Sequence, residues 1–298
     1  MRAWSHAVAG AAAHVSGRPS LWVAGGLAWV LTTGWLALLI GVARPPTLAE
    51  LTFFGAGLFT SGAWPWNLVA IISAALAVVV GAAALVAMAD AFLLRPNGAW
   101  PRNVGRILLV TFACALPAAL ALVALGLGIA AVAPAEFNSP RDGSGTLLRV
   151  AVRVAPFIIA FVLAVAAGAA VRAAATRRLV RGSSVRVALR AAPEDLAGAG
   201  WVALGQAAFL TAAWVAGLVA AALMLRVLWA PIGVRLGDGG FDPAAAFLLV
   251  GFVAIWLCLV LGGGALHALG SVSWTRVLGA AASEATPEPT GLETPERS

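Results

Sequence analysis

Asp90, Gln206 and His267 are the side chains in this sequence whose placement most needs a chemical explanation, because each stands inside a long apolar run. A carboxylate or imidazole surrounded by hydrocarbon is costly, and such groups face a partner, a watery cavity or a transport path. Asp90 precedes Arg95 by five residues, and His267 precedes Ser271 by four. At ~1.5 Å of rise per helical residue, both lie roughly 6–8 Å from the same boundary. Gln206, five residues after Trp201, falls at a similar depth. The spacing predicts an intramembrane polar cluster of Asp90, Gln206 and His267 if their helices are neighbours. The alternative is three unrelated groups, each facing headgroups or water.

No other residue pattern suggests catalysis. The chain has no GxxxxGK[ST] phosphate loop, no HExxH, no CxxC and no GxSxG elbow. Gly126-Leu-Gly128 sits within an apolar run and lacks the strand-turn-helix setting of a dinucleotide site. Three histidines, two of them before residue 20, do not make a metal set, and Cys114 and Cys258 read as small buried residues. The two carboxylates of Asp238-Gly-Gly-Phe-Asp242 are too few for calcium, which takes about six to eight oxygens. The sequence therefore predicts a non-enzymatic protein without cofactor or metal.

The elements that position these residues follow from hydropathy. The chain is 62% hydrophobic and 10% charged, with mean hydropathy +0.97; a soluble domain carries about 25% charged residues. Apolar runs cover Leu21–Ala43, Leu68–Leu94, Ile107–Ala133, Val154–Val171, Trp201–Leu225 and Ala244–Leu269. Runs of about 20 residues cross a bilayer as helices, and unbroken Ala, Leu and Val fit helices better than alternating barrel strands. The expected class is all-α: a polytopic integral membrane protein with six transmembrane helices and short interfacial helices. Residues 1–20 form a basic cytoplasmic segment, 21–278 the six-helix membrane domain, and 279–298 a polar, Pro-rich, disordered cytoplasmic tail. The first run is too long and starts too late for a cleaved secretory signal. Pro117 and Pro156 are expected to kink their helices, while Gly25-Gly26 and Gly262-Gly263-Gly264 permit close helix approach. Two short helices are expected at the interfaces. One lies before the first span, with Trp4, Ala7, Val8, Ala11 and Val15 on one face; the other covers Leu48–Thr60 behind the capping box Thr47–Glu50.

Orientation comes from arginine, since the chain has no lysine. The N-terminus, second loop, fourth loop and C-terminus hold 13 arginines, against 6 in the other loops. Cytoplasmic loops accumulate positive charge, so the chain is expected in the inner (cytoplasmic) membrane of a bacterium with both termini in the cytoplasm. Six arginines fall between Arg172 and Arg190. In this connector Val185, Ala188, Leu189 and Ala192 share one helical face while Arg186 and Arg190 stand one turn apart on another. Pro193, Glu194 and Asp195 suit the start of the next helix. Arg177, Arg178, Arg181, Arg186 and Arg190 are the candidate contacts to anionic lipid headgroups. Nucleic acid is not expected as a partner, because no stacking aromatics interleave the arginines.

Arg18-Pro19 before the first span, six spans, and Ser184-Val-Arg-Val-Ala-Leu-Arg190 before the fifth resemble the membrane domain of bacterial glycerophosphoryl diester phosphodiesterases and its stand-alone relatives. The likeness covers most of residues 15 to 278. It implies the six-span layout but no phosphodiesterase activity, because no soluble catalytic domain accompanies it, and it transfers no functional residue. Two functions follow. The first is a multi-pass interaction, scaffold or lipid-organising module, with membrane lipids and a protein partner or second copy as companions. The second is a small transporter or a permease subunit of an export complex, although no inverted repeat supports it.

Overall fold

The computed structural model describes residues 2–43, 50, 53, 56–57, 60–94, 104–137, 145–237 and 242–284. The described elements are helices: α1 (Arg2–Ser16), α2 (Pro19–Trp29), α3 (Trp35–Val42), α4 (Trp66–Leu94), α5 (Val104–Phe137), α6 (Thr146–Val180), α7 (Val185–Gly237) and α8 (Pro243–Glu284). Six stretches are long and apolar enough to cross a membrane: Pro19–Val42, Trp66–Leu94, Val104–Glu136, Leu148–Val180, Val185–Gly237 and Pro243–Gly279. Among the described residues, the all-helical class and six helices of sufficient length and apolarity agree with the sequence. The expected interfacial helix Leu48–Thr60, its capping box, most of the Asp238–Asp242 loop and Arg95 lie outside the described residues or only partly within them.

Helix ends obey local chemistry. Pro19 opens α2, where a missing amide costs nothing. Asp242 caps α8, its Oδ1 accepting the Ala245 amide at 2.6 Å. α6 ends in a left-handed glycine: Gly182 has φ 103°, its amide reaches the Leu179 carbonyl, and the Ser183 amide reaches that of Arg178. This double closure satisfies carbonyls that the last helical turn leaves unpaired. Helix continues through Pro117 and Pro134 in α5 and through Pro156 in α6, so none of the three ends its element.

Three expectations change. Span one is interrupted by a π-turn at Val30–Gly34 between α2 and α3. There the Thr32 hydroxyl donates to the Ala28 carbonyl at 2.8 Å, a side-chain bond that competes with the helical ladder. The connector helix does not stop at Pro193. It continues to Gly200, whose φ of 52° and ψ of −130° break α7 into an arginine-bearing segment and a span. Only glycine takes that backbone without strain. Finally, α8 stays helical to Glu284, beyond the expected start of the tail at residue 279, and residues 285–298 lie outside the described residues.

The chain divides into two compact units. One comprises Met1–Ala11, Arg106–Thr211 and Val272–Ser298, and the other Ala12–Gly105 and Ala212–Ser271. In the second unit α2 and α8 meet backbone to backbone. A methyl group on Gly25 would collide with the Gly264 carbonyl, and one on Gly264 with the Trp22 carbonyl and the Gly26 amide. Small residues are what allow this approach, since lipid-embedded helices associate by van der Waals fit and polar contacts and not by expelling water. Ala37, Ala221, Leu225, Ile232 and Phe252 form a buried core joining α3, α7 and α8, while Ala28, Val86 and Ala89 join α2 to α4. Trp29 and Trp256 stack at 5.9 Å beside the π-turn.

Candidate functional site

α4 carries Asp90 and α8 carries His267 within the second unit. The His267 Nε2 lies 2.9 Å from the Asp90 Oδ1, with the side chains 19% and 14% exposed. Their meeting stands out because α2, α3 and α4 hold no other ionisable side chain, and α8 holds none between Pro243 and Ser271 apart from Cys258. A carboxylate that accepts an imidazole hydrogen bond recovers part of the solvation lost on burial. Two indoles of the same unit find acceptors: Trp214 donates to the Thr33 hydroxyl at 2.5 Å, and Trp22 donates to the Val15 carbonyl at 2.8 Å.

Gln206 takes different partners. It is fully buried in the first unit, donates through Nε2 to the Ser273 hydroxyl at 2.5 Å and accepts the Trp4 indole N–H at 3.0 Å. Trp4 also packs edge-on against Phe209 at 5.5 Å. α1 is thereby held to α7 and α8 by a buried amide, and Ala11 and Val15 of its apolar stripe are buried. That stripe was expected to lie on the membrane surface, but its apolar face is occupied by protein. Ser273 and Phe209 escaped sequence reasoning, and Trp4 was read only as part of the apolar stripe, because spacing along one helix does not show which distant helix supplies a partner. The deep position of Gln206 was the one readable hint.

The five arginines nominated for lipid headgroups divide sharply. Arg177, 7% exposed, turns inward: its Nε donates to the Thr275 hydroxyl at 3.0 Å and its Nη1 to the Ala173 carbonyl at 2.6 Å. Arg178 grips Asp195 with two bonds of 2.6 and 2.5 Å, a bidentate pair that ties the end of α6 to the first segment of α7. Arg181, Arg186 and Arg190 remain exposed. On α7 the faces fall as the spacing predicts, with Ala188 and Ala192 fully buried, Val185 and Leu189 half-buried, and Arg186 and Arg190 outward.

Glu136 is a residue that sequence reasoning missed. Buried near the end of α5, it accepts Arg149 at 2.8 Å and Arg153 at 2.9 Å from the start of α6. Arg235 likewise pairs with Asp242 at 2.8 Å. Three of the six arginines in the sparser loops are thus held by carboxylates, a pairing invisible without knowing which helix ends meet. Among the described residues no three His, Cys, Asp or Glu side chains gather as a metal set. No family model matches the chain, and no curated protein or solved structure matches it.

Proposed function

We propose that this chain is a non-enzymatic, multi-pass protein of the bacterial cytoplasmic membrane that acts as an interaction, scaffold or lipid-organising module. The observation that carries this reading is the outward display of Arg181, Arg186 and Arg190, while Arg177 is buried against Thr275 and the half-exposed Arg178 is paired with Asp195. Cytoplasmic leaflets carry anionic lipids, and basic residues beside a span are attracted to them. The arginine-rich connector shares one compact unit with the start of α1 and the last turns of α8, and the positive-inside bias of the sequence favours the cytoplasm for all three. The resemblance of the sequence to the membrane domain of glycerophosphoryl diester phosphodiesterases enters this reading as architecture only. Purification in mild detergent followed by native mass spectrometry tests the reading. Retention of anionic over zwitterionic phospholipid supports it, and retention in proportion to the bulk lipid overturns it.

A small transporter or permease subunit is the second reading, favoured by the Asp90–His267 pair between two candidate spans. A stoichiometric ATPase companion in the purified complex would decide for it.

A further inference from the structure

Within the lipid-organising reading, the first segment of α7 is the most informative feature, because burial and exposure within it fix what it can touch. A free amphipathic helix binds a membrane by sinking its apolar face among the acyl chains. Here that face is spent. Ala188 and Ala192 are fully buried by protein, with Val185 and Leu189 partly covered beside them. The bidentate Arg178–Asp195 pair ties the segment to the end of α6, and the Gly182 turn fixes where Arg181 emerges. What remains outward is Arg181, Arg186 and Arg190, with Val187 between the last two. Immediately beyond the Gly200 break stands Trp201, 86% exposed at the head of an apolar span. An indole there belongs at the headgroup level.

From these observations we infer that Arg181, Arg186 and Arg190 form a docking edge for the phosphate groups of anionic phospholipids, engaged without insertion of the helix that carries them. The inference rests on the lipid-organising reading and names its partner and its mode. Three points of chemistry support it. Guanidinium groups bind phosphate through two parallel hydrogen bonds, which ammonium groups cannot copy, and every cationic side chain of this protein other than histidine is an arginine. Arg186 and Arg190 are one helical turn apart, close enough to share a headgroup or to hold two neighbouring ones. The exposed carboxylate of the segment is Glu194, one turn beyond Arg190; an arginine preceding a glutamate by four residues is the weaker order for a helical ion pair, so Glu194 leaves most of the positive edge uncompensated. Asp195 is already engaged with Arg178. The occupant is the leaflet and not a soluble polyanion because Trp201 and the half-buried to exposed apolar residues after it anchor the edge beside lipid.

A contact made only through headgroups differs from an inserted helix in its response to salt. Charges facing water are screened within ~3 Å at 1 M salt, whereas an apolar face held in the acyl region is not released by salt. The test uses the full chain in nanodiscs of phosphatidylcholine with or without phosphatidylglycerol, comparing wild type with Arg186→Gln/Arg190→Gln and with the triple variant that adds Arg181→Gln. Enrichment of phosphatidylglycerol around the protein is read by native mass spectrometry, and amide exchange is read over residues 185–199. Each arginine contributes about fivefold to attraction by an anionic surface, so the double variant should lose about thirtyfold in preference for phosphatidylglycerol. Exchange protection conferred by phosphatidylglycerol on the wild type should vanish at 1 M salt. Thermal unfolding that matches the wild type shows that the variants fold. If the wild type enriches phosphatidylglycerol and the triple variant does so equally, the docking edge is wrong while the lipid-organising reading survives. If the wild type shows no enrichment, that reading fails as well. Salt-resistant protection would establish insertion and overturn the headgroup-only mode. Displacement of the lipid by transfer RNA or inorganic phosphate at equal phosphate concentration would assign the edge to a soluble anion and overturn the inference.

Discussion

Removing either member of the Asp90–His267 pair should destabilise the second compact unit, and removing both should cost less than the sum. The two side chains are each less than one-fifth exposed and meet at 2.9 Å between α4 and α8. Deleting one leaves the other buried without that bond, a loss of roughly 1–3 kcal/mol. Lipid does not amplify the shared term as far as its low dielectric suggests, because the unfolded chain within the membrane also finds partners. Interhelical polar pairs of this kind average about 0.6 kcal/mol of coupling and reach about 1.7 kcal/mol. Asp90→Ala and His267→Ala should therefore each lower stability by roughly 1–3 kcal/mol, and the double variant should recover about 0.6–1.7 kcal/mol relative to additivity. Equilibrium unfolding in bicelles, followed through a double-mutant cycle, measures this directly. Cysteines at 90 and 267, in a background without Cys114 and Cys258, should also be joined by a short bifunctional reagent. Additivity within about 0.3–0.5 kcal/mol together with no crosslink would refute the pairing.

Gly200→Ala should cost roughly 1–3 kcal/mol, because alanine cannot occupy φ 52° with ψ −130° without strain. Thermal unfolding and amide exchange over residues 196–204 read the effect, and wild-type behaviour in both would show that the break does not require glycine. Gln206→Leu leaves the Trp4 indole and the Ser273 hydroxyl without their buried partner, a loss of roughly 1–3 kcal/mol. Amide exchange across residues 4–15 should rise in this variant, and less so in Trp4→Phe, which keeps a ring against Phe209. Unchanged exchange in both would mean that α1 is held by other contacts.

How far the sequence could be read depends on the kind of interaction that decides each feature. The six long apolar helices were legible because a run of about twenty consecutive apolar residues satisfies its backbone most readily as one helix. The faces of the α7 segment were legible for a similar reason, since Ala188 and Ala192 repeat at four residues and Arg186 and Arg190 repeat with them out of phase. Its length was not. Pro193 is a common helix starter, yet here it stands exposed within a helix already under way, and the break belongs to Gly200. Depth arithmetic brought Asp90, His267 and Gln206 to one level, but depth says nothing about neighbours. The structure joins the first two and gives Gln206 to Trp4 and Ser273. Counting arginines in the 172–190 stretch treated five as equivalent. Which of them are consumed depends on Asp195 and Thr275, residues 17 and 98 positions distant from their partners. The buried Glu136 was missed for the same reason.

The arginine edge can meet the anionic leaflet only if it lies on the cytoplasmic side of the membrane. Reporter fusions placed after residue 140 and after residue 195, with impermeant thiol labelling of a cysteine at position 190 in a background lacking Cys114 and Cys258, decide this in intact cells. The 13-to-6 arginine bias predicts that the fusion after 140 reports the outside, the fusion after 195 reports the cytoplasm, and the cysteine is labelled only after the cells are opened. Labelling of position 190 from outside intact cells would contradict the orientation, and with it the proposal that the edge meets the anionic cytoplasmic leaflet.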